Sequence, residues 1–429
     1  MKKAILLSPL LLSTMALAQF NISIEAPDSF SKKEVMVYTL NGSKDFLTAQ
    51  AQKKNGKWNI QIPQAYHGML RAYFPDNKQS VNFMSENQEV KIKLDTDGQN
   101  IKKIDYQDPA NQTMYQLLQN NQKKERILPV LSQIKGFYND NSAFDQALAA
   151  EINRLNQAKM AGQNLSQYPF IQYYFEHTLY ANQNPEKPLT ADDYIQFLSS
   201  SNEFLETSSL LKPTLLNFLR SLSKEQIDPK VGQLLEAVSV ESPRGQTILA
   251  ELLDIFETYG LEEEKDKYFK LASNLKCEIN KNLKSSLTSI KNTMVGSTFP
   301  DYTFTSNLKN TKAKKLSDVK ASKKLVLFWA STCPHCMSEL PQILEKYPQL
   351  KQQGIEVVAF SLDQDAQAYQ NTVASLPWIN DSELKGWESS YAETYNVHAT
   401  PTYYLLDAQD KIIDKPHNFK AFLGTINLK

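Results

Sequence analysis

The chain has 429 residues, with 47 lysines and arginines balanced by 47 aspartates and glutamates, and three cysteines. That balance excludes nucleic acid or acidic lipid as the main electrostatic partner, and so few cysteines exclude a disulfide-stapled scaffold. The length is that of two or three domains, each able to bury a core.

Lys2 and Lys3 precede a mostly apolar run from Ala4 to Leu12, interrupted by Ser8 and Pro9, and Ala16-Leu17-Ala18 then presents small residues where a signal peptidase reads. This predicts a secretory leader over residues 1–18, cleaved after Ala18. The apolar run is shorter than the ~20 residues that span a bilayer, and no Cys follows it to take a lipid. The mature chain is expected to be soluble and periplasmic. In an exported protein, one close cysteine pair and one distant cysteine point to redox chemistry.

Residues 19–104 carry short alternating segments: 20–24, 34–40, 58–62, 70–74, 80–83 and 90–94. Turn signals at Asn41-Gly42 and Asn55-Gly56 separate them, so a small antiparallel β-domain with one buried face is expected. Over 105–292 apolar residues recur at three- and four-residue steps, as at Leu148, Ile152 and Leu155 or Ile248, Leu252 and Ile255. Breaks at Asn139 to Asn141, Asn184-Pro185, Asp228-Pro229 and Ser242-Pro243 divide this helical domain into seven or eight helices. The aromatic stripe Tyr168, Phe170, Tyr173, Tyr174 and Phe175 reads as helix–helix contact. Cys277 falls in the last helix, where a free thiol packs as a small apolar group; a third redox partner is the alternative.

From 296 to 429 strand and helix alternate. Lys324-Leu-Val-Leu-Phe-Trp329 and Ile355-Glu-Val-Val-Ala-Phe360 are buried-strand runs, with helices expected over 334–352 and near 364–375 and 384–395. A closing hairpin, 401–406 with 411–414, completes a mixed sheet covered by helices on both faces. The fold class is therefore multi-domain, α+β and α/β together.

The chemistry sits in Trp329-Ala-Ser-Thr-Cys333-Pro-His-Cys336. A strand ends at Trp329 and a helix starts at Cys333, so unpaired N–H groups and the helix dipole favour a thiolate there. Pro334 suits the first helical position. Cys336 lies one turn on, within disulfide reach, and lower: Cys333 attacks and Cys336 resolves. An imidazole at His335 is expected to stabilise the Cys333 thiolate and make the pair more oxidising, by ~30 mV for each unit of thiol pKa. A zinc site lacks two further ligands, covalent haem needs His where Met337 stands, and a copper site with His398 calls for wider cysteine spacing. No metal or other cofactor is expected.

These residues, with Gly296-Ser-Thr-Phe-Pro300, Leu316-Ser-Asp-Val319, Glu339-Leu-Pro341, Tyr395-Asn-Val397 and Thr400-Pro-Thr-Tyr-Tyr-Leu-Leu-Asp407, resemble the TlpA/ResA-like branch of the thioredoxin superfamily. The resemblance covers about a third of the chain. It implies a C-terminal thioredoxin fold with Pro401 as a cis-proline beside the disulfide. It also implies that Thr400 presents its backbone to an extended substrate segment, and that Glu339 is the proton relay to the resolving thiol, because Leu327 stands where thioredoxins bury an aspartate; Pro334 and Trp329, near Cys333 in the sequence, are expected to share in substrate binding. Thr332 replaces the family's usual Trp, and Pro-His between the cysteines is more typical of DsbA-type oxidants, so the direction of electron flow stays open.

Three functions compete. The first is a disulfide oxidoreductase acting on protein clients with thiols or disulfides and served by a membrane-linked redox partner protein. The second is a thiol peroxidase, although Val326 and Ala330 stand where peroxiredoxins place Pro and Thr. The third is a binding or assembly protein, in which residues 19–295 hold a client or a second copy of the chain as a homo-oligomer.

Overall fold

The computed structural model describes residues 20–76, 79–138, 141–157, 165–182 and 188–428. The leader read over 1–18 lies outside the described residues, as do Asn139, Asp140 and the Asn184-Pro185 break. The chain divides into two compact units, at Ser221/Leu222. Residues 105–292 are thus shared between both.

The first unit opens with eight strands: β1 (Phe20–Glu25), β2 (Glu34–Asn41), β3 (Lys44–Gln52), β4 (Lys57–Ile62), β5 (His67–Phe74), β6 (Gln79–Glu86), β7 (Val90–Thr96) and β8 (Ile101–Tyr106). They form two four-stranded sheets, β4-β1-β7-β8 and β3-β2-β5-β6. Alternating burial on β4 and β7 sends Trp58, Ile60, Ile92 and Leu94 inward, where Phe30, Trp58 and Phe74 meet edge to face. Asn55 and Gly56 both take positive φ, at 50° and 76°, the geometry a two-residue hairpin turn needs between Lys54 and Lys57.

Two expectations are corrected here. The domain is not purely antiparallel: β1 and β7 pair in parallel, because β7 reaches β1 after the chain has crossed through the other sheet rather than through a hairpin. Strands β3 and β8 were not expected. Neither has a fully buried residue, so neither shows a clear apolar alternation.

Among the described residues six helices follow in this unit: α1 (Pro109–Lys135), α2 (Ala143–Gln157), α3 (Pro169–Ala181), α4 (Ala191–Ser200), α5 (Phe204–Thr207) and α6 (Leu211–Arg220). Two buried side chains clip helices to β6. Asn111 on α1 exchanges two hydrogen bonds with the Met84 backbone, and the Glu86 carboxylate accepts from the Phe170 and Ile171 N–H groups at the start of α3. Tyr168, Phe170 and Tyr173 are buried and pack as core.

The second unit begins with α7 (Lys224–Ala237), α8 (Pro243–Tyr259), α9 (Glu262–Ser273) and α10 (Lys281–Thr293), making ten helices over Pro109–Thr293 among the described residues. Helix α7 runs through the expected break at Asp228-Pro229. Ile227, Val231, Leu234 and Leu235 are buried along it, and this packing outweighs the one hydrogen bond Pro229 forgoes. Cys277 lies in the loop between α9 and α10 rather than in a helix, half-buried, with Gln246 Nε2 3.4 Å from its sulfur.

The remainder holds β9 (Lys323–Trp329), α11 (Pro334–Gln352), β10 (Ile355–Ser361), α12 (Ala366–Val373), β11 (Ile379–Asp381), α13 (Ser390–Thr394), β12 (Thr402–Asp407), β13 (Ile412–Asp414) and α14 (Phe419–Thr425). The sheet order is β11-β10-β9-β12-β13, with β9, β10 and β11 parallel and β12 and β13 antiparallel. Central β9 is buried on both faces. Val326 and Phe328 enter one core, while Leu325, Leu327 and Trp329 enter the other, which is why it reads as a continuous apolar run. Both sheet margins are covered: Gly296 and Ser297 exchange backbone hydrogen bonds with Ile412, and Lys309 does so with Asn380.

A buried ion cluster joins α8, α9 and the segment after β13. Glu257 receives Lys265 at 2.8 Å and also Lys415, with only 7% and 5% of the Glu257 and Lys265 side chains exposed. Burial works to raise the Glu257 pKa, but the two ammonium groups outweigh it and hold the carboxyl below its usual range.

Candidate active site

Cys333 is the N-cap of α11, with Pro334 at its first position. Its sulfur accepts the Cys336 N–H at 3.2 Å, so a thiolate there meets an unpaired helix donor as well as the dipole. A disulfide joins Cys333 and Cys336, whose Cα atoms are 5.3 Å apart. Cys333 is half-buried, and Cys336 is 1% exposed beneath it.

The loop before β12 supplies the other wall. The Thr400–Pro401 bond is cis, and the Thr400 carbonyl oxygen lies 3.3 Å from Cys333 Sγ. Pro334 and His335 are exposed at the rim, and the His335 carbonyl accepts from the Ser338 hydroxyl at 2.8 Å. The structure thus brings Cys333, Cys336, Pro334, Thr400 and Pro401 together.

Trp329 departs from expectation. It is 0% exposed and shares a core with Cys336, Leu340 and Tyr369, so it supports the base of α11 and offers a substrate no surface. Its position explains this: the last residue of a strand buried on both faces points inward. Glu339 lies half-buried on α11 and accepts from the Tyr403 hydroxyl at 2.5 Å and from the Phe419 N–H at 3.2 Å. Burial and the neighbouring carboxylate hold the Tyr403 hydroxyl well above the usual phenol range. The carboxylate therefore ties α11 to β12 and to the start of α14.

Asp363 escaped sequence reasoning. It is 4% exposed and accepts from the Ser331 N–H and hydroxyl at 2.9 and 2.7 Å and from the Ser361 hydroxyl at 2.7 Å. These bonds pin the loop two residues ahead of Cys333. The signal was available in the parallel register of Trp329 with Ser361, which puts Ser331 opposite Asp363 just beyond both strand ends.

A cysteine pair at a helix start, against a cis-proline loop and on a mixed sheet with helices on both faces, defines a thioredoxin-fold domain. The Redoxin family matches residues 294–417. The thiol-disulfide oxidoreductase ResA of a Bacillus cereus strain is 31% identical over 108 residues, and that of Bacillus subtilis is 28% identical over 104. Each alignment takes in 24% of this chain and spans 60% and 58% of the respective relative. The C-terminal domain is accordingly of the TlpA/ResA-like kind. Among solved structures, the thioredoxin domain of a thiol-disulfide oxidoreductase from Bacteroides vulgatus is 24% identical, with a TM-score of 0.29, covering 31% of this chain and 96% of that one.

Proposed function

We propose that this protein is a periplasmic thiol–disulfide oxidoreductase that exchanges disulfides with protein clients through Cys333 and Cys336. The observation that carries the reading is the Cys333 sulfur at the start of α11, bonded by the Cys336 N–H and 3.3 Å from the Thr400 carbonyl. In the reduced enzyme the Cys333 thiolate attacks a client disulfide. An enzyme–client S–S bond forms, the client S–S bond breaks, and the departing client thiolate takes up a proton. Cys336, having lost its own proton, then attacks Cys333. This closes the internal disulfide, releases the second client thiol and leaves the client reduced by two electrons. The reverse sequence oxidises a client dithiol. Which direction prevails follows from the potential of the pair, with reference reductants near about −270 mV and oxidants near about −120 mV.

Export rests on the leader read over 1–18. Within the reading, Pro401 and Thr400 border the client, and His335 biases Cys333 toward thiolate. Glu339 moves a proton near the pair, a membrane-linked redox protein resets it, and residues 19–295 hold the client or a second copy. The ResA relatives support thiol–disulfide chemistry for the C-terminal domain. Cys336→Ser removes the resolving sulfur, so mixed disulfides with clients are expected to accumulate at Cys333 and to disappear on reduction. Recovery of no such adduct under both oxidising and reducing conditions would overturn the proposal.

A further inference from the structure

Resting on that reading, we infer that the groove running from Pro401 along the end of α8 is the docking cleft for the client segment that flanks the reacting cysteine. The cleft measures about 650 Å³, within the ~300–1,000 Å³ of pockets that enclose ligands of that size. Ala399, Pro401 and Thr402 line it, and the Thr400 carbonyl between them lies 3.3 Å from Cys333 Sγ, so one loop borders both the cleft and the reacting sulfur. Part of the lining precedes the thioredoxin sheet in the chain. Tyr259, the last residue of α8, and Val295, just after α10, line the cleft while 59% and 60% exposed. Two uncovered apolar side chains in a cleft that the cis-proline also lines suit an aliphatic or aromatic client residue.

The wall is held in place before any client arrives. Glu257, at the end of α8, is bound to Lys415 and Lys265 in the buried ion cluster, which fixes α8 beside the segment leaving β13. A preformed cleft spares a flexible peptide part of the ordering cost of binding. Its charge selects among segments. Glu257, Glu262 and Asp414 line it with Lys415, and Lys265 pairs with both glutamates, leaving three carboxylates against two ammonium groups. The occupant is therefore an extended segment with an apolar side chain near its cysteine and with Lys or Arg rather than Asp or Glu beyond it.

The test uses the full chain, pre-reduced, in single turnover with two substrates: a disulfide-bonded peptide and the small aryl disulfide of nitrobenzoic acid. In Tyr259→Ser/Val295→Ser, the ratio of second-order rate constants, peptide over aryl disulfide, is expected to fall about tenfold. That is what uncovering roughly 55 Å² of apolar contact costs at about 25 cal/mol per Å². A Lys-flanked peptide is expected to react faster than its Glu-flanked counterpart, with the gap closing in high salt. A ratio within twofold of the wild type, or a faster Glu-flanked peptide, overturns the cleft while leaving the oxidoreductase reading intact. Wild-type protein inert toward both substrates overturns the oxidoreductase reading itself.

Discussion

Replacing Glu257 by Gln tests the idea that the buried ion cluster holds the second unit together. The change leaves Lys265, 5% exposed, with Glu262 alone, and strands Lys415, 19% exposed. Breaking a buried pair from one side costs about 3–5 kcal/mol. Because Lys265 keeps one partner and Lys415 can reach water, the low end, about 3 kcal/mol, is expected. For a unit the length of Leu222–Lys429, each kcal/mol moves the midpoint by about 2–4 °C, so its calorimetric transition in the full chain should drop by roughly 6–12 °C. The Glu257 carboxyl is held below its ordinary value of 4.5 in the folded protein. Its contribution is therefore present above that value and is lost as pH falls through the folded one, so the gap between wild type and variant narrows in acid. Converting Glu257, Lys265 and Lys415 together to Met should recover most of the loss, since the one carboxylate that loses its partner, Glu262, is 60% exposed and stays in water. A Gln variant within about 1 kcal/mol of wild type at neutral pH would refute the argument.

Two further outcomes are expected. Asp363→Ala leaves the Ser331 and Ser361 hydroxyls and the Ser331 N–H without their acceptor, at a cost of about 2–3 kcal/mol; it should also shift the Cys333–Cys336 potential measured in glutathione buffers, and an unchanged potential would count against a positioning role. Burial pushes the Glu86 carboxyl up from 4.5 to about 7, against the two N–H bonds it accepts. The stability it contributes is full below about 4.5 and is lost as pH rises through about 7, by at most about 3 kcal/mol. Glu86→Gln should flatten that slope in urea titrations between these limits, and parallel slopes would sink the assignment.

What the sequence disclosed depended on how local each signal was. Leu325 to Trp329, buried on both faces, announced a central strand, and Cys333-Pro-His-Cys336 announced a helix start because its meaning lies within four residues. Strand β3 stayed hidden because Lys44–Gln52 buries no residue fully. Strand β11, three residues long, is too short to show a period. Trp329 was misjudged as a docking residue because proximity in sequence to Cys333 says nothing about which face a strand end presents. Asp363 and the Glu257–Lys415 pair were illegible for a different reason: their partners lie 32 and 158 residues away, and only the folded register brings them together.

The covered margins of the C-terminal sheet constrain how any polypeptide can approach it. With Ile412 already bonded to Gly296 and Ser297 on one side, and Asn380 to Lys309 on the other, an added strand would have to displace these bonds to pair at either residue. The ends of the strands are different, because there Cys333 lies half-buried beside the exposed Pro334 and His335.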